Sequence, residues 1–225
     1  HTGWTGTTMW MDRVTGLYAI LLGNTCHPSR TQRSNRTFRS TFYAAVADAA
    51  YPTSQAVHTG LDRLVRDGFD AIANKRIAVL TNAAAVDMLG RSILDVLPYA
   101  QSTSIAAYYG PEHGLRGQAE AGEKVASQAG ATPITSLYGD KRTPSADELK
   151  GLDAFVIDLP DIGARYYTYI ATMKDCLEVC AAANCPVIVL DRPRPLGGDI
   201  VEGPIAENTN SFVCCAPIPV RHGMT

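Results

Sequence analysis

The sequence predicts an α/β fold in which a parallel sheet is covered by helices on both faces, preceded by a shorter piece with two strands and a helix. Three observations support this prediction. From about residue 58 onward, apolar runs of strand length alternate with amphipathic stretches of helical period. These runs are apolar throughout, which is typical of strands buried on both faces of a parallel sheet. Before about residue 52, two β-rich runs are followed by one helical stretch.

The first piece, residues 1–52, has a simple order of elements. TTMWMD and GLYAILL are β-rich runs, and DRVTG between them is a turn-forming cluster. TFYAAVADAAY is rich in alanine and predicts a helix. YPTSQ interrupts that pattern and predicts a linker.

The second piece, residues 58–225, alternates between helix and strand. SADELKGL predicts a short helix with a capping box, because Ser145 precedes it and Glu148 follows three residues later. We predict further helices at GLDRLVRDGFDAI, VDMLGRSILDVL and YYTYIATMKDCLEVCAAAN, and strands at KRIAVLTN, TSIAAYYG, ITSLYG, AFVIDLP and PVIVLD.

Composition excludes several classes of function. The net charge is −2, so no basic field is present to bind nucleic acid. No apolar run is long enough to span a membrane. The patterns GxGxxG after a strand, GxxxxGK[ST] and HExxH are absent, so we expect neither a dinucleotide cofactor nor a P-loop. The chain begins at His1 inside a predicted strand, and we expect it to be a fragment with any targeting segment upstream. The oligomeric state stays open.

The six cysteines do not form a metal-binding pattern. No CxxC pair occurs, and no set of cysteines and histidines has zinc-finger spacing. We therefore expect no metal site and expect free cysteines that pack as small apolar residues. A disulfide among them is left open.

Polar residues follow four of the predicted strands. Asn82 ends the first strand of the second piece, Glu112 and His113 follow the next, Asp158 and Asp161 follow a third, and Asp191–Arg192 follow a fourth. In open parallel sheets, ligands bind beyond the carboxyl ends of the strands. Asn82 or Asp158 alone would be typical of a cap or turn, and an ion-pair network is the alternative for the whole set. The convergence nevertheless favours a site.

The residue types in this set favour a site for sugar binding and glycoside hydrolysis. Glycoside hydrolysis commonly needs two carboxylic groups, one to protonate the leaving oxygen and one to attack or stabilise the sugar. Arginines hold carboxylates through forked hydrogen bonds, and tyrosines can stack on a sugar face.

Six ordered motifs in the second piece resemble one family. They are GPEHGLRG (110–117), SLYGDKRTPSADEL (136–149), DLPDIGARYYTYIATM (158–173), VIVLDRPRPLGG (187–198), VEGPI (201–205) and PIPVRHGMT (217–225). Together they closely resemble the exo-β-N-acetylmuramidases of glycoside hydrolase family 171, the NamZ-like proteins. The resemblance implies a Rossmann-like N-terminal domain, with a cleft between it and a smaller second domain that this chain lacks. It also implies removal of terminal β-linked N-acetylmuramic acid from peptidoglycan fragments.

The resemblance also implies roles for individual residues. It points to Glu112 as the leading catalytic carboxylate, and we expect Asp161 to be a supporting acid, with Asp158 as the alternative. We expect Arg165 and Arg192 to hold the lactyl carboxylate of muramic acid. A larger group is expected to line the substrate pocket: Asn82, His113, Arg116, Tyr167, Asp191 and His222. Structural roles are the open alternative, since Tyr167 can pack the helix and Asp191 can pair with Arg192.

The first piece resembles the end of a serine β-lactamase-like or esterase domain. His1-Thr2-Gly3 fits the third motif of that group, and the nucleophile motif SxxK is absent from this sequence. The resemblance implies a parent in which a serine hydrolase is fused to a muramidase. One alternative is that the serine hydrolase is the active enzyme and the second piece only binds muropeptides. A peptidoglycan substrate implies a secreted or periplasmic protein, with cytoplasmic recycling as the other possibility.

Overall fold

The computed structural model describes residues 6–11, 17–24, 36–50, 57–112, 114–115 and 132–224. The chain divides into two compact units, His1–Val57 and His58–Thr225. His113 and Arg116, which the sequence places in the candidate site, lie outside the described residues.

The first unit has the predicted order of strand, strand and helix. Strands β1 (Gly6–Met11) and β2 (Tyr18–Asn24) pair antiparallel, and helix α1 spans Arg36–Ala50. Side chains alternate between faces along a strand, so Thr8 and Ala19 are buried while the paired residues Met9 and Ile20 are exposed. The likeness of this unit to serine β-lactamases stays a prediction.

The described residues of the second unit form a five-stranded sheet, in which every pairing is parallel. The order across the sheet is β5-β4-β3-β6-β7, so the first strand of the unit lies at the centre. This is the Rossmann order, in which the chain reverses its direction across the sheet between the central strand and its neighbour. The predicted parallel α/β fold is confirmed. The strands are β3 (Arg76–Thr81), β4 (Ser104–Gly110), β5 (Ile134–Ser136), β6 (Ala154–Asp158) and β7 (Val187–Val189).

The central strands are buried on both faces, as their apolar sequences predict. Along β3, Ala78 and Leu80 face one side while Ile77 and Val79 face the other, and all four are buried. The side of Ala78 and Leu80 packs in one cluster with residues of helices α4 (Ala146–Leu149) and α5 (Tyr169–Ala182).

Three cysteines belong to this same cluster. Cys176 and Cys180 are fully buried on α5, and Cys185 follows the helix. All three are free thiols, which confirms for them the prediction of cysteines packed as small apolar residues. Burial raises the pKa of Cys176 and of Cys180 to about 12.

Two predicted helices are shorter in the structure. Helix α2 spans only Gly60–Arg66, because Gly68 and Phe69 adopt positive φ angles of 67° and 65° and turn the chain into a 3-10 turn. The helix predicted over residues 86–97 was wrong for most of its length, since α3 spans Ile93–Val96. The carboxylate of Asp87 accepts bonds from the backbone N–H groups of Leu89 and Arg91, so these residues form a side-chain-stabilised loop.

The capping box predicted for α4 is confirmed. The Ser145 hydroxyl accepts from the Glu148 backbone N–H at 3.3 Å, and the Glu148 carboxylate accepts from the Ser145 N–H at 2.8 Å. Thr59 and Asp62 make the same reciprocal pair at the start of α2. Helix α5 begins at Tyr169, three residues later than the aromatic run at Tyr166 suggests.

Candidate functional site

The topology brings the ends of four strands to one edge of the sheet. Thr81, the last residue of β3, pairs directly with Asp158, the last residue of β6. Asn82 follows β3, Glu112 follows β4, and Arg192 follows β7. This edge includes the point where the strand order reverses, which is where open α/β sheets place their ligands.

Glu112 projects from a tight loop at the end of β4. A Cβ atom on Gly110 would come within 2.5 Å of the Leu115 backbone nitrogen, so only glycine lets the loop fold back this closely on the strand. The Gly114 N–H donates to the Pro111 carbonyl at 2.9 Å and closes the turn. The sequence therefore fixes Glu112, which is half-buried, at the tip of a constrained loop.

Hydroxyl groups from two separate segments lie at the Glu112 carboxylate. Thr168 Oγ1 donates to Glu112 Oε2 at 2.7 Å. The Tyr138 hydroxyl, from the loop after β5, lies beside this carboxylate, and its interaction with Glu112 raises the pKa of Tyr138. The carboxylate is thus oriented by Thr168, a residue that lies far from it in the sequence.

A second network joins Asn82 to the same loop. Asn82 Nδ2 donates to the Tyr169 hydroxyl at 2.7 Å, and that hydroxyl donates to the Glu112 backbone carbonyl at 3.2 Å. Burial raises the pKa of Tyr169 far above its ordinary value, so the group acts as a neutral hydroxyl. Tyr167 packs its ring 4.6 Å from the ring of Tyr169. The ends of β3 and β4 are therefore tied to the start of α5.

Asp158 and Arg192 form a buried ion pair. Arg192 Nε lies 2.5 Å from Asp158 Oδ1, and Nη2 lies 3.0 Å from Oδ2. The remaining Nη1 donates to the Val86 carbonyl at 2.7 Å. Burial raises the pKa of Asp158, and Arg192 opposes that rise. Both groups are satisfied within the protein and join β6 to the segment after β7.

Asp161 and His222 meet beside a cavity of about 290 Å³, which Tyr169 also lines. His222 Nε2 lies 3.1 Å from Asp161 Oδ2, and that oxygen accepts a hydrogen bond from the Gly163 N–H at 3.0 Å. His222 Nδ1 faces the Met224 N–H at 3.3 Å and Arg194 Nη1 at 3.2 Å. Because both of these are donors, Nδ1 accepts and the hydrogen of the neutral ring belongs on Nε2.

Arg165 and Asp191 have local partners. Arg165 Nη1 donates to the carbonyls of Pro204 and Ile218 at 2.8 and 2.6 Å, and so holds the segment after β7 in place. Asp191 is exposed, and its carboxylate accepts from the Arg192 N–H at 2.9 Å.

Sequence reasoning missed two of the groups that contact Glu112. Thr168 directly precedes a helix and would be assigned to capping, yet its hydroxyl makes no cap and bonds to Glu112. Tyr138 lies in a loop whose path no periodicity predicts. The quoted motif SLYG was the available signal, since it places a tyrosine directly after a predicted strand.

Two features are absent from the described part of the chain. Within it, no group of three or more His, Cys, Asp or Glu side chains is arranged to hold a metal ion. No helix among these residues is long and apolar enough to cross a membrane.

Comparison with known proteins identifies the family. The family described as "Exo-beta-N-acetylmuramidase NamZ, N-terminal" matches residues 77–225, about two thirds of the chain. The chain belongs to the NamZ N-terminal family. The match begins at the central strand β3 and includes every described group of the candidate site.

Three similar proteins are consistent with this assignment. The peptidoglycan beta-N-acetylmuramidase NamZ of Bacillus subtilis (strain 168) is 42% identical over 173 residues, which cover 75% of this chain and 42% of the relative. A crystal structure of a DUF1343 family protein from Bacteroides fragilis NCTC 9343 matches with a TM-score of 0.66 at 39% identity, covering 74% of this chain and 43% of that one. A second DUF1343 protein from the same organism matches with a TM-score of 0.61 at 32% identity, covering 76% and 44%. The chain thus spans less than half the length of these relatives.

Proposed function

We propose that this chain contributes the N-terminal domain of an exo-β-N-acetylmuramidase of glycoside hydrolase family 171. The enzyme releases terminal β-linked N-acetylmuramic acid from peptidoglycan fragments, in turnover or recycling of the cell wall. The observation that carries the proposal is Glu112, a carboxylate at the carboxyl edge of the sheet that accepts a hydrogen bond from Thr168 and lies beside the Tyr138 hydroxyl. The similarity to a peptidoglycan β-N-acetylmuramidase supplies the substrate class.

Glu112 is suited to general acid–base catalysis. As the acid, it gives its proton to the glycosidic oxygen while the bond from that oxygen to the anomeric carbon breaks. Thr168 holds the carboxylate in one orientation through its hydrogen bond, which such a proton transfer requires, and the Tyr138 hydroxyl lies beside it. Neither hydroxyl need exchange its own proton for this role.

Of the two aspartates, Asp161 is the better candidate for a supporting acid. Asp158 is fully buried, and both of its oxygens are bonded to Arg192. The Asp161 side chain retains 15% exposure and lines the cavity beside His222. We therefore assign Asp161 to the substrate side of the site and Asp158 to its framework.

The test is release of N-acetylmuramic acid from a synthetic β-linked muramyl-glucosamine disaccharide by the protein at its full natural length. Glu112→Gln keeps the shape of the side chain and removes the acid. We expect it to lower turnover by about 100-fold or more. The matched control is Glu178→Gln, the same substitution at an exposed residue of α5 whose partner is Lys174.

Loss of activity in Glu112→Gln alone would support the proposal. Equal activity of wild type and Glu112→Gln would show that this carboxylate is structural. Absence of turnover by wild type, with the sugar still bound, would replace the hydrolase by a binding module. Because the substrate is peptidoglycan, we further propose that the protein is secreted or periplasmic, and fractionation of the native cells tests this.

A further inference from the structure

Arg142 lies in a chain of side chains that leads to Glu112. Its guanidinium carbon lies 4.4 Å from the centre of the Phe212 ring. The Phe212 ring lies 6.1 Å from the ring of Tyr138, whose hydroxyl lies beside the Glu112 carboxylate. Tyr138 and Phe212, here called the aromatic shelf, therefore lie between a cation and the candidate catalytic acid.

Other arginines around this edge are engaged by the protein itself. Arg192 pairs with Asp158, Arg165 donates to two backbone carbonyls, Arg194 contacts His222, and Arg221 pairs with Glu202.

Arg142 differs from these arginines. Its side chain is exposed, and among the described residues no carboxylate forms an ion pair with it. Neighbouring Lys141 is paired with Glu148, which leaves Arg142 as an exposed cation beside the shelf.

An exposed guanidinium stacked on an aromatic ring is a carboxylate-binding group. Its forked N–H donors match the two oxygens of a carboxylate, and stacking on Phe212 fixes the plane of the fork. The sugar of the proposed function carries one carboxylate, on its lactyl ether. A sugar ring that lies against the aromatic shelf would place its scissile bond on the side of Glu112.

We propose that Arg142 binds the lactyl carboxylate of the terminal N-acetylmuramic acid and that the aromatic shelf packs against the sugar. This inference rests on the proposed function and names the group that selects its substrate. It takes the place of the sequence-based expectation for Arg165 and Arg192, whose guanidinium groups hold the fold together. Arg142 acts on specificity and is not a catalytic residue.

The experiment compares two substrates that differ in one group. One is the β-linked muramyl-glucosamine disaccharide, and the other is its lactamide, in which a neutral carboxamide replaces the carboxylate. Arg142→Gln should lower kcat/KM for the acid by about 10- to 100-fold, mainly through KM, because a charge-assisted bond is lost. Its kcat/KM for the lactamide should stay within about twofold of wild type. Arg142→Lys should lie between, since it keeps the charge and loses the fork.

The control is Arg66→Gln, which removes the same charge from an exposed residue at the end of α2, before the amino end of β3. It should leave both substrates unaffected. A loss of equal size on acid and lactamide, or no loss on either, overturns the assignment of Arg142.

Calorimetric binding of N-acetylmuramic acid and its lactamide separates the two proposals. If wild type turns nothing over but binds the acid in preference, and Arg142→Gln abolishes that preference, the muramidase proposal fails while the role of Arg142 stands. If wild type hydrolyses the disaccharide but never distinguishes acid from lactamide, the muramidase proposal stands and the role of Arg142 is refuted.

Discussion

Replacing Arg192 should lower the free energy of unfolding of this protein more than replacing any exposed arginine. Arg192→Gln leaves the Asp158 carboxylate, which is 0% exposed, without either of its bonds at 2.5 and 3.0 Å. Breaking a buried ion pair from one side costs about 3–5 kcal/mol. The Val86 carbonyl also loses its donor, which adds about 1 kcal/mol. A loss of this size is a large part of the stability of an ordinary domain.

The loss should depend on pH in a definite direction. Burial raises the pKa of Asp158 even with Arg192 beside it, so the native state holds this proton more tightly than the unfolded chain. Stability therefore falls as the pH rises through the raised pKa. Without Arg192 the opposing interaction is gone, so the pKa rises further and the fall becomes steeper and extends to higher pH. Urea denaturation followed by circular dichroism, between about pH 4 and pH 8, measures both effects.

Two further variants test the role of the Asp158–Arg192 ion pair in stability. Arg66→Gln breaks an exposed pair with Asp67 and should cost less than about 1 kcal/mol at every pH. Asp158→Asn combined with Arg192→Gln removes both charges and should recover part of the loss, with a flatter pH profile. If Arg192→Gln lowers the free energy of unfolding no more than Arg66→Gln, or shows the same pH profile, the framework role of Arg192 is refuted. Arg192 would then again be a candidate for binding substrate.

Three other predictions concern separate parts of the second unit. Thr168→Val removes the hydroxyl bonded to Glu112 at little change in volume; kcat should fall about tenfold while the melting temperature stays near wild type, and an unchanged kcat would contradict the orienting role. Gly60→Ala places a Cβ atom 2.4 Å from the Leu190 Cα and should cost about 1–3 kcal/mol by urea denaturation; Gly198→Ala, whose nearest contact is 3.6 Å, is the control and should be neutral. Cys176 and Cys180, with pKa values raised to about 12, should resist iodoacetamide at about pH 8 until the protein is denatured, whereas rapid native alkylation seen by mass spectrometry would contradict their burial.

The sheet could be predicted from the sequence because strands that are buried on both faces are apolar along their whole length. AFVID is apolar up to its last residue, and all five of these residues are buried in β6. The helix expected over residues 86–97 was predicted wrongly because a local side-chain interaction overrode the apolar pattern. Its apolar spacing suits a helix, but the Asp87 side chain satisfies backbone N–H groups locally and stabilises a loop instead.

The edge that holds the candidate site was predictable from the sequence, whereas the hydrogen-bond and ion-pair partners at that edge were not. Parallel strands bring their carboxyl ends together, so the sequence alone places Asn82, Glu112 and Asp158 at one edge of the sheet. Which arginine pairs with an internal carboxylate depends on side-chain paths that composition does not record. Arg192 and Arg142 both follow strands of the sheet, yet one is buried against Asp158 and the other is exposed on Phe212.

The start of helix α5 differs from the starts of α2 and α4 in a way that bears on evolution. Those two helices begin with a reciprocal capping box, whereas the Thr168 hydroxyl makes no cap and donates a hydrogen bond to the Glu112 carboxylate. Selection for stability alone would favour a residue that caps the helix. On the proposed role of Glu112, activity and stability compete at the first turn of α5, and stabilising substitutions there should come with weaker catalysis.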